Sequence, residues 1–517
     1  MTRGTMGRSG IMARVFWRTT LLVCFALLLP GCGSKEAAGP IDGRALAAVH
    51  CARCHNVPTP GQLPREEWPY LLAWMGNYLG YKEQIPIHPL LVIKPFVPPK
   101  PLVDRAQFEA ICNYFLTQSA MDYQRTPPAP EPPVSTLFEV QTQAVSATII
   151  SLVAIDPVDH SLVVGSSEPP ALQLLNRGAI AALKVSSEPI SYERLGERRR
   201  LALIGHLGHD SRLGQVIDFN ASEARPETLV SGHPRIATHR TADVDGDGQA
   251  DLLVCGFGDY PTGRVAIWWG GAGGKAGQEQ VLFTESGAVW ADVADLDGDG
   301  KPDVIVTIAN NHPRVLAFIN QGGRRFEMHT LVERPVGWGY NRCLLVDWDG
   351  DGRPDLVELA GNNLELRGRP IKAQHGVRIL RNDGELKFRE VLFEPLPGAI
   401  DVAAGDFDGD GRVDLAVTAF YPDWRQEHPT TLLLLMHRAD GTVERAGIDP
   451  QFWNRWMRIG VGDVDGDGFP DLILGAAEVP AGIPMEQVGR CRELLKGKAS
   501  VVVLRNRGRG VLNDKVR

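Results

Sequence analysis

Short stretches of alternating or continuous apolar residues recur along the chain after residue 137. In the most regular unit, an alternating stretch such as Ala291–Ala294 precedes an acidic, glycine-rich segment, and a continuous apolar stretch such as Asp303–Val306 follows it. A third stretch ends in a turn of the type seen at Phe318–Gly322, and a shorter fourth one follows, as at Phe388–Val391. Alternation is typical of a half-buried strand, and a short apolar run between turn residues is typical of a buried strand. Each unit is therefore predicted to contain four strands.

Five copies of the sequence Asp-x-Asp-Gly-Asp-Gly-x-x-Asp mark the regular units, and they begin at Asp243, Asp295, Asp347, Asp406 and Asp463. Successive copies are 52, 52, 59 and 57 residues apart. Two earlier units, around residues 155–178 and 201–219, keep the strand pattern without the acidic segment. Seven four-stranded units of about 53 residues each predict a seven-bladed β-propeller over residues 137–510. The last unit lacks a fourth strand, and we expect the segment Phe138–Gln143 to supply it and close the ring.

The acidic segment has the spacing of a loop that binds a hard cation. Carboxylates at positions 1, 3, 5 and 9 and the backbone carbonyl at position 7 can converge on one ion, and oxygen ligands are those that Ca²⁺ prefers. An EF-hand is rejected because position 12 is apolar (Val254, Val306) and the flanking segments are strands. The predicted calcium ligands are Asp243, Asp245, Asp247, Gln249 and Asp251; Asp295, Asp297, Asp299, Lys301 and Asp303; Asp347, Asp349, Asp351, Arg353 and Asp355; Asp406, Asp408, Asp410, Arg412 and Asp414; Asp463, Asp465, Asp467, Phe469 and Asp471.

The role of these ions follows from electrostatics. Four carboxylates within a few ångströms repel one another by several kcal/mol per loop at an effective dielectric of about 20. Up to five calcium ions are therefore expected to stabilise the fold rather than to act in catalysis. The loops resemble the integrin-type FG-GAP (VCBS) repeat, and the resemblance implies calcium bound in a hairpin loop between blade strands.

A different motif, Cys51-Ala52-Arg53-Cys54-His55, lies before the repeats. Two thiols three residues apart lie on one side of a helical turn, where they can add to the vinyl groups of a haem, and the adjacent histidine can bind the iron. We therefore predict covalent attachment at Cys51 and Cys54 and axial ligation by His55. The alternatives are a disulfide or a partial zinc site, but zinc requires a second pair of ligands and no second Cys-x-x-Cys exists.

Residues 41–125 resemble a small all-α monohaem cytochrome c domain, with Gly43 where the first and last helices of that family cross. The last helix is predicted over Arg105–Gln118, with Phe108, Ile111, Cys112 and Phe115 on one face. The resemblance implies one covalent haem c and either a sixth iron ligand or an open site. A thioether ligand would raise the potential, and Met75 is the first candidate, although a methionine in an apolar helix often only fills the core. His88 and Met121 are the alternatives.

The amino-terminal residues 1–31 have the pattern of an export signal. Four arginines precede the apolar run Leu21–Leu29, which is shorter than the roughly 20 residues of a membrane span. The stretch Leu29–Cys32 resembles a bacterial lipobox, which implies lipidation of Cys32, with simple cleavage and secretion as the alternative. Residues 32–40 would be a tether. We expect an outer-membrane lipoprotein or a periplasmic protein whose only membrane contact is its lipid anchor.

Residues 126–136 are rich in proline and are expected to form a polyproline-type spacer between the two domains, which would then share no core. Four histidines near the second unit are expected to be solvated loop residues, although they could line a channel mouth; they are His206, His209, His233 and His239. Cys255 and Cys343 are expected to be buried as small apolar residues.

Composition narrows the range of functions. The 517 residues carry a net charge of −8, which argues against a nucleic-acid-binding protein because such proteins normally present a basic face. A hydrophobic content of 44% excludes global disorder, and eight cysteines are too few for a disulfide scaffold.

A cytochrome c domain followed by FG-GAP repeats resembles a family of exported bacterial proteins, which implies a carrier of single electrons. We expect an electron-transfer protein rather than an enzyme, with a redox partner protein or a small electron donor that docks on the propeller. Two alternatives remain at this point. The propeller could be a dehydrogenase that uses the haem as its internal electron acceptor, or an adhesion or ligand-binding module with a haem sensor. The oligomeric state is left open.

Overall fold

The computed structural model describes residues 41–508 apart from short gaps. The gaps are 83–95, 124–126, 128, 146, 177–178, 207–211, 221–224, 259–261, 272–275, 364–365, 367, 369, 479–482 and 484–486. The predicted export signal, the tether, Cys32, His88 and His209 therefore lie outside the described residues. Among the helices that are described, none has the length and apolarity that crossing a bilayer requires.

Three helices precede the repeats. They are α1 (Gly43–His50), α2 (Trp68–Tyr78) and α3 (Arg105–Asp122), with 3₁₀ turns at Cys51–Arg53 and Pro60–Gln62. Helix α1 begins at Gly43 because the Asp42 carboxylate accepts the N–H groups of Arg44 and Ala45 at 2.9 and 3.1 Å. Helix α3 begins with a reciprocal capping box between Asp104 and Gln107.

Twenty-eight described strands form seven four-stranded antiparallel sheets, which confirms the predicted seven-bladed propeller. Blades 1 to 3 consist, in order, of β2–β5 (Ile150–Ile155, Leu162–Ser167, Pro170–Asn176, Ala179–Lys184), β6–β9 (Pro189–Leu195, Arg198–Leu203, Gly214–Phe219, Glu227–His233) and β10–β13 (Ile236–Ala242, Asp251–Gly256, Arg264–Gly270, Ala276–Phe283).

Blades 4 to 6 follow the same order. They consist of β14–β17 (Ala288–Ala294, Asp303–Ile308, Arg314–Asn320, Phe326–Glu333), β18–β21 (Tyr340–Val346, Asp355–Ala360, Gly376–Asn382, Phe388–Pro395) and β22–β25 (Ala399–Gly405, Asp414–Ala419, Leu432–His437, Val443–Gly447). The first strand of each blade lines a central cavity.

The ring closes in blade 7 as predicted. This blade contains β26 (Trp456–Gly462), β27 (Asp471–Ala476) and β28 (Val501–Asn506), with helix α4 (Val488–Leu495) between the last two strands. Its outer strand is β1 (Phe138–Thr142), which precedes blade 1 in the sequence and pairs antiparallel with β28.

Apolar side chains fill one layer between each pair of neighbouring blades, so that seven layers hold the ring together. Cys255 and Cys343 lie in two of these layers and are fully buried, as predicted. His233 on β9 and His239 on β10 are also buried, so the prediction of solvated loop histidines is wrong for these two.

The core of the helical segment includes a residue of the propeller. Trp68, Phe108, Ile111 and Phe115 form the centre of an apolar cluster that also contains Leu366 from the loop between β19 and β20, and Leu366 is only 2% exposed. The expectation that the two parts share no core is therefore wrong.

The proline-rich segment also contacts the propeller. The backbone N–H of Gly447 in blade 6 donates to the carbonyl of Pro133 at 2.7 Å, and the N–H of Ser135 donates to the carbonyl of Gly447 at 2.9 Å. In addition, the Gln426 side chain donates to the carbonyl of Ala129 at 3.1 Å. The described part of the predicted spacer is therefore fixed along blade 6.

Candidate functional site

Each acidic loop connects the first and second strands of its blade, in blades 3 to 7. The carboxylate at position 1 curls the loop. In blade 4, Asp295 accepts the N–H groups of Gly298 and Gly300 at 2.8 and 2.9 Å. Both glycines have positive φ angles, +81° and +82°, which a side chain would strain. The spacing that recurs in the five copies thus follows from a backbone path that surrounds one point.

Three carboxylates converge in every one of the five loops, with ligand atoms within 4.8 Å of one another. In three loops they come from positions 1, 3 and 9, and in two loops from positions 1, 3 and 5. The groups are Asp243, Asp245 and Asp251; Asp295, Asp297 and Asp299; Asp347, Asp349 and Asp351; Asp406, Asp408 and Asp414; Asp463, Asp465 and Asp471. The remaining predicted carboxylates, which are not in these triplets, are Asp247, Asp303, Asp355, Asp410 and Asp467.

The position 7 residues Gln249, Lys301, Arg353, Arg412 and Phe469 share a backbone contact rather than a side-chain type. Each donates its N–H to the position 5 carboxylate at 2.8 to 3.0 Å. This contact explains why glutamine, lysine, arginine and phenylalanine are all tolerated at position 7.

The carboxylate at position 9 joins the loop to the blade. In blade 4, Asp303 is fully buried and accepts two N–H groups, one from Leu296 in the loop and one from Asn320 at the end of the third strand, at 2.9 and 2.8 Å. The same pair of bonds occurs in the other four loops. Position 9 is therefore a structural residue as well as a predicted ligand.

Burial raises the pKa of all five position 9 carboxyl groups, and it raises the pKa of Asp414 and Asp471 to about 6. The nearby loop carboxylates raise these pKa values further, whereas the backbone N–H groups lower them. Carboxylates that are disfavoured in this way gain most from a nearby cation. The loops therefore fit a divalent cation in both ligand chemistry and electrostatics.

An asparagine at the end of the third strand links neighbouring blades, a contact that the sequence analysis did not identify. Asn320 of blade 4 donates to the carbonyl of Val244 in the blade 3 loop at 2.7 Å and accepts the N–H of Gly322 at 2.9 Å. Asn382 and Asn506 make equivalent bonds to the loops of blades 4 and 6. In blade 6, His437 takes this place, and its ring stacks on Trp348 of the blade 5 loop at 4.2 Å. The Asn-x-Gly turn of the repeat was the visible signal.

The Cys-x-x-Cys-His motif follows helix α1 directly. Cys51 begins a 3₁₀ turn and packs against the helical core, whereas Cys54 is exposed; the two are separate thiols. Burial and the neighbouring Cys54 raise the pKa of Cys51 to about 11. The His55 Nδ1 lies 2.8 Å from the carbonyl of Asn56. Burial lowers the pKa of His55, and the nearby His312 of blade 4 lowers it further, although the bond to Asn56 opposes this shift.

The predicted sixth ligand lies on helix α2. Met75 is half-buried. The alternative candidate Met121, at the end of α3, is 62% exposed. Met75 is therefore the less exposed of the two described candidates.

The first and last helices of this segment cross at the predicted position. A side-chain carbon placed on Gly43 would lie 2.0 Å from the backbone oxygen of Ala110 on α3, so only glycine fits. Helix α3 extends to Asp122, beyond the predicted end at Gln118, and it buries Phe108, Ile111 and Phe115 as predicted, with Cys112 partly buried.

Comparison with known families identifies the repeats. The model of the FG-GAP-like repeat matches residues 243–306, 295–358 and 371–417, and the model of the FG-GAP repeat matches residues 456–482. These segments contain all five acidic loops. The chain therefore contains FG-GAP repeats folded as a seven-bladed propeller.

Solved structures that resemble the chain are themselves distant in sequence. The N-terminal domain of Nup159 gives a TM-score of 0.42 at 10% identity, covering 74% of this chain and 98% of that one. A Saccharomyces cerevisiae complex of Dbp5 with Nup159, Gle1, IP6 and ADP gives 0.42 at 10% identity, covering 73% and 97%. S. cerevisiae Sqt1 gives 0.40 at 8% identity, covering 73% and 99%. No curated protein sequence matches the chain.

Proposed function

We propose that this chain is an exported c-type cytochrome that transfers single electrons to or from a partner docked on a calcium-stabilised propeller. The observation that carries the proposal is the arrangement of Cys51, Cys54 and His55 on one turn at the end of α1. The thiols are three residues apart, and the histidine has one nitrogen fixed to a carbonyl.

The donor set fits a haem c. Cys51 and Cys54 would hold the porphyrin, and a bound haem would supply a one-electron ferric/ferrous couple. His55 donates Nδ1–H to the Asn56 carbonyl, which leaves the lone pair of Nε2 free to bind iron. Metal-bound histidines usually donate their other ring N–H to a carbonyl or carboxylate in this way. The lowered pKa of His55 favours the neutral imidazole that such ligation needs. Met75 is the proposed sixth ligand.

Contacts with the propeller would keep this motif in a fixed place. The Asn56 N–H donates to the carbonyl of Asn311 at 3.2 Å, and its side chain donates to Glu333 at 3.2 Å, both in blade 4. The buried Glu67 accepts the N–H of Gly368 at 2.7 Å. A partner that docks near blades 4 and 5 would therefore meet the haem segment at a defined distance.

The test is production of the full chain in a host that matures c-type cytochromes. We expect one haem per chain that remains attached after denaturation, read by absorption and mass spectrometry. The double variant Cys51→Ala/Cys54→Ala should lose it, whereas the matched control Cys112→Ala should retain it. Colourless purified protein from a competent host would overturn the proposal.

The coordination state of the haem iron distinguishes electron transfer from the alternative functions. Reversible titration with a six-coordinate low-spin spectrum in both redox states supports electron relay, and we expect Met75→Ala to abolish it while Met121→Ala leaves it unchanged. Binding of carbon monoxide by the reduced wild-type protein would instead indicate a sensor or an enzyme.

Export and membrane attachment are proposed from the amino-terminal sequence. Lipid on Cys32 would tether the chain to the outer membrane, and secretion into the periplasm is the alternative. Fractionation of cells that express wild type or Cys32→Ser distinguishes them, because only a lipidated protein should move from the membrane to the soluble fraction in the variant.

A further inference from the structure

The centre of the ring holds a cavity of about 680 Å³, lined by the first strands of all seven blades. Small-molecule sites in proteins typically have volumes of about 300–1,000 Å³. The cavity is therefore of the size that accepts an organic ligand, and the described residues that line it all belong to the propeller.

A recurring β-bulge determines which side chains line the central cavity. In every blade the first strand shows a register shift between its first and third residues. The third residue of each strand lines the cavity, which gives one ring of equivalent positions. In blade order these are Leu152, Ser191, Thr238, Trp290, Arg342, Asp401 and Arg458.

Blades 5, 6 and 7 place an Arg–Asp–Arg triad on this ring. Arg342 donates to Asp401 at 2.7 Å, and the remaining described bonds to the buried Asp401 carboxylate come from the backbone N–H groups of Val402 and Ile459. Arg458 donates to the carbonyl of Ser151 at 2.8 Å. Asp401 thus pairs directly with Arg342 and attracts Arg458 at longer range, so that two guanidinium groups share one carboxylate.

Burial lowers the pKa of Arg458, and repulsion from Arg342 lowers it as well, although Asp401 opposes both. An anion bound between the two arginines would relieve the repulsion and would accept paired N–H groups, the geometry in which arginine holds carboxylates. Arg342 is positioned for this, because 31% of its side chain is exposed although it lies at the centre of the ring.

Two further arginines line the cavity away from blades 5 to 7. Arg240 of blade 3 is 2.9 Å from Asp292 and 4.0 Å from Glu193, so carboxylates balance its charge. The Arg235 guanidinium, just before β10, lies 4.9 Å from the centroid of the Phe257 ring. On the side of blades 5 to 7, two arginines share one carboxylate.

The opposite side of the ring presents hydroxyl groups. Blades 2 and 3 are the farthest from blade 6 in a ring of seven, and there the hydroxyls of Ser191 and Thr238 lie 3.4 Å apart on the cavity wall. A ligand with a carboxylate at one end and hydroxyls at the other would satisfy both sides.

We propose that the central cavity binds a small hydroxylated carboxylate, with its carboxylate between Arg342 and Arg458 and its hydroxyls toward Ser191 and Thr238. This site is independent of the proposed electron transfer, because it needs no haem.

Calorimetry on the mature full-length protein tests the proposal, with D-glucuronate as the probe and D-glucose and inorganic phosphate as comparisons. We expect saturable binding of glucuronate, at least about ten-fold weaker binding of glucose and phosphate, and a similar loss for Arg458→Gln and Arg342→Gln. The exposed Arg389→Gln is the matched control and should bind as wild type. The double variant Ser191→Ala/Thr238→Val should weaken glucuronate about five-fold and leave acetate binding unchanged.

Circular dichroism and melting curves establish whether each variant is folded. If the more buried Arg458→Gln is not folded, Arg342→Gln provides the test. No heat with glucuronate, or wild-type binding by a folded arginine variant, would overturn the proposal. Phosphate that binds as tightly as glucuronate would show a general anion site and would equally overturn the assignment of a hydroxylated carboxylate.

Discussion

Blade 1 and blades 3 to 7 neutralise the same carboxylate position in different ways. Asp156 of blade 1 stands where the other blades begin their acidic loop, and it accepts the Tyr192 hydroxyl at 2.5 Å and an N–H of Arg194 at 3.2 Å. The Arg199 guanidinium lies 3.3 Å from Asp156 and also contacts Asp159. Blade 1 therefore uses arginines from blade 2 at this position, whereas the position 1 carboxylate of an acidic loop accepts backbone N–H groups, as Asp295 does from Gly298 and Gly300.

The pKa directions show which groups stabilise each carboxylate. Burial raises the pKa of Asp156, but the bonds from Tyr192 and the backbone and the charge of Arg194 outweigh it, so that the net shift is downward. At the same position in blade 7, burial raises the pKa of Asp463, and backbone N–H groups outweigh it, so that this net shift is also downward. The comparison indicates that blade 1 holds this carboxylate with side-chain cations, whereas an acidic loop holds it with backbone N–H groups and leaves it open to the proposed calcium.

Chelation should give the largest effect. Removing calcium with EDTA is expected to lower the melting temperature by more than about 10 °C, because each of five loops would then retain unneutralised carboxylates. Differential scanning calorimetry in calcium and in EDTA measures this. Adding calcium back should restore the melting temperature, whereas sodium chloride at the same ionic strength should not. An unchanged melting temperature in EDTA would contradict a structural role for calcium.

Removing one of the arginines that neutralise Asp156 should give the next largest effect. Arg199→Gln is expected to cost about 3 kcal/mol of unfolding free energy, since it leaves the buried Asp156 with only one guanidinium partner. Because no ion is involved, the loss should be the same at all calcium concentrations, as measured by urea unfolding. Arg389→Gln on exposed β21 is the control. A loss that calcium rescues would show that blade 1 also depends on the ion.

The sequence was sufficient to predict the seven-bladed ring but not the side-chain contacts of Asp156. The period of the acidic segment and the alternation of its flanking strands predicted seven blades and the closing strand Phe138–Thr142, because both are local patterns. The partners of Asp156 are 36 to 43 residues away on another blade, and no periodicity connects them. Leu366 likewise enters the helical core from a loop hundreds of residues later, a contact that only the folded chain defines.

Removing an asparagine link between blades should have an intermediate effect on the free energy of unfolding. Asn320→Ala removes the bonds to the buried carbonyl of Val244 and the partly buried carbonyl of Pro302, and the loss of this donor should cost about 2 kcal/mol. Urea unfolding in saturating calcium measures the loss. In blade 3, Gly270 occupies the place that Asn320 holds in blade 4, and the preceding blade 2 has no acidic loop. The asparagine bond is therefore found only where the preceding blade has an acidic loop that can accept it. No loss in the variant would mean that the layers between blades hold the ring without it.

The smallest expected effect concerns a cation that competes for one loop. Arg324 in the turn after β16 lies 2.7 Å from Asp245 and 3.7 Å from Asp247, and it stacks over Trp269. Arginines also contact position 3 of three other loops, at Asp349, Asp408 and Asp465, so internal cations reach loops that also fit calcium. Arg324→Gln is expected to strengthen calcium binding at this loop about two- to five-fold, as the removal of a partly exposed ion pair permits.

The adjacent Arg325 provides a matched control, because it is exposed and its Nε donates to the carbonyl of Gly322 rather than to an acidic loop. The calcium concentration that gives half the gain in melting temperature should fall in Arg324→Gln and stay unchanged in Arg325→Gln. If both variants behave as wild type, Arg324 does not compete with the ion. A rise in the required calcium would instead show that Arg324 orients Asp245 as a ligand.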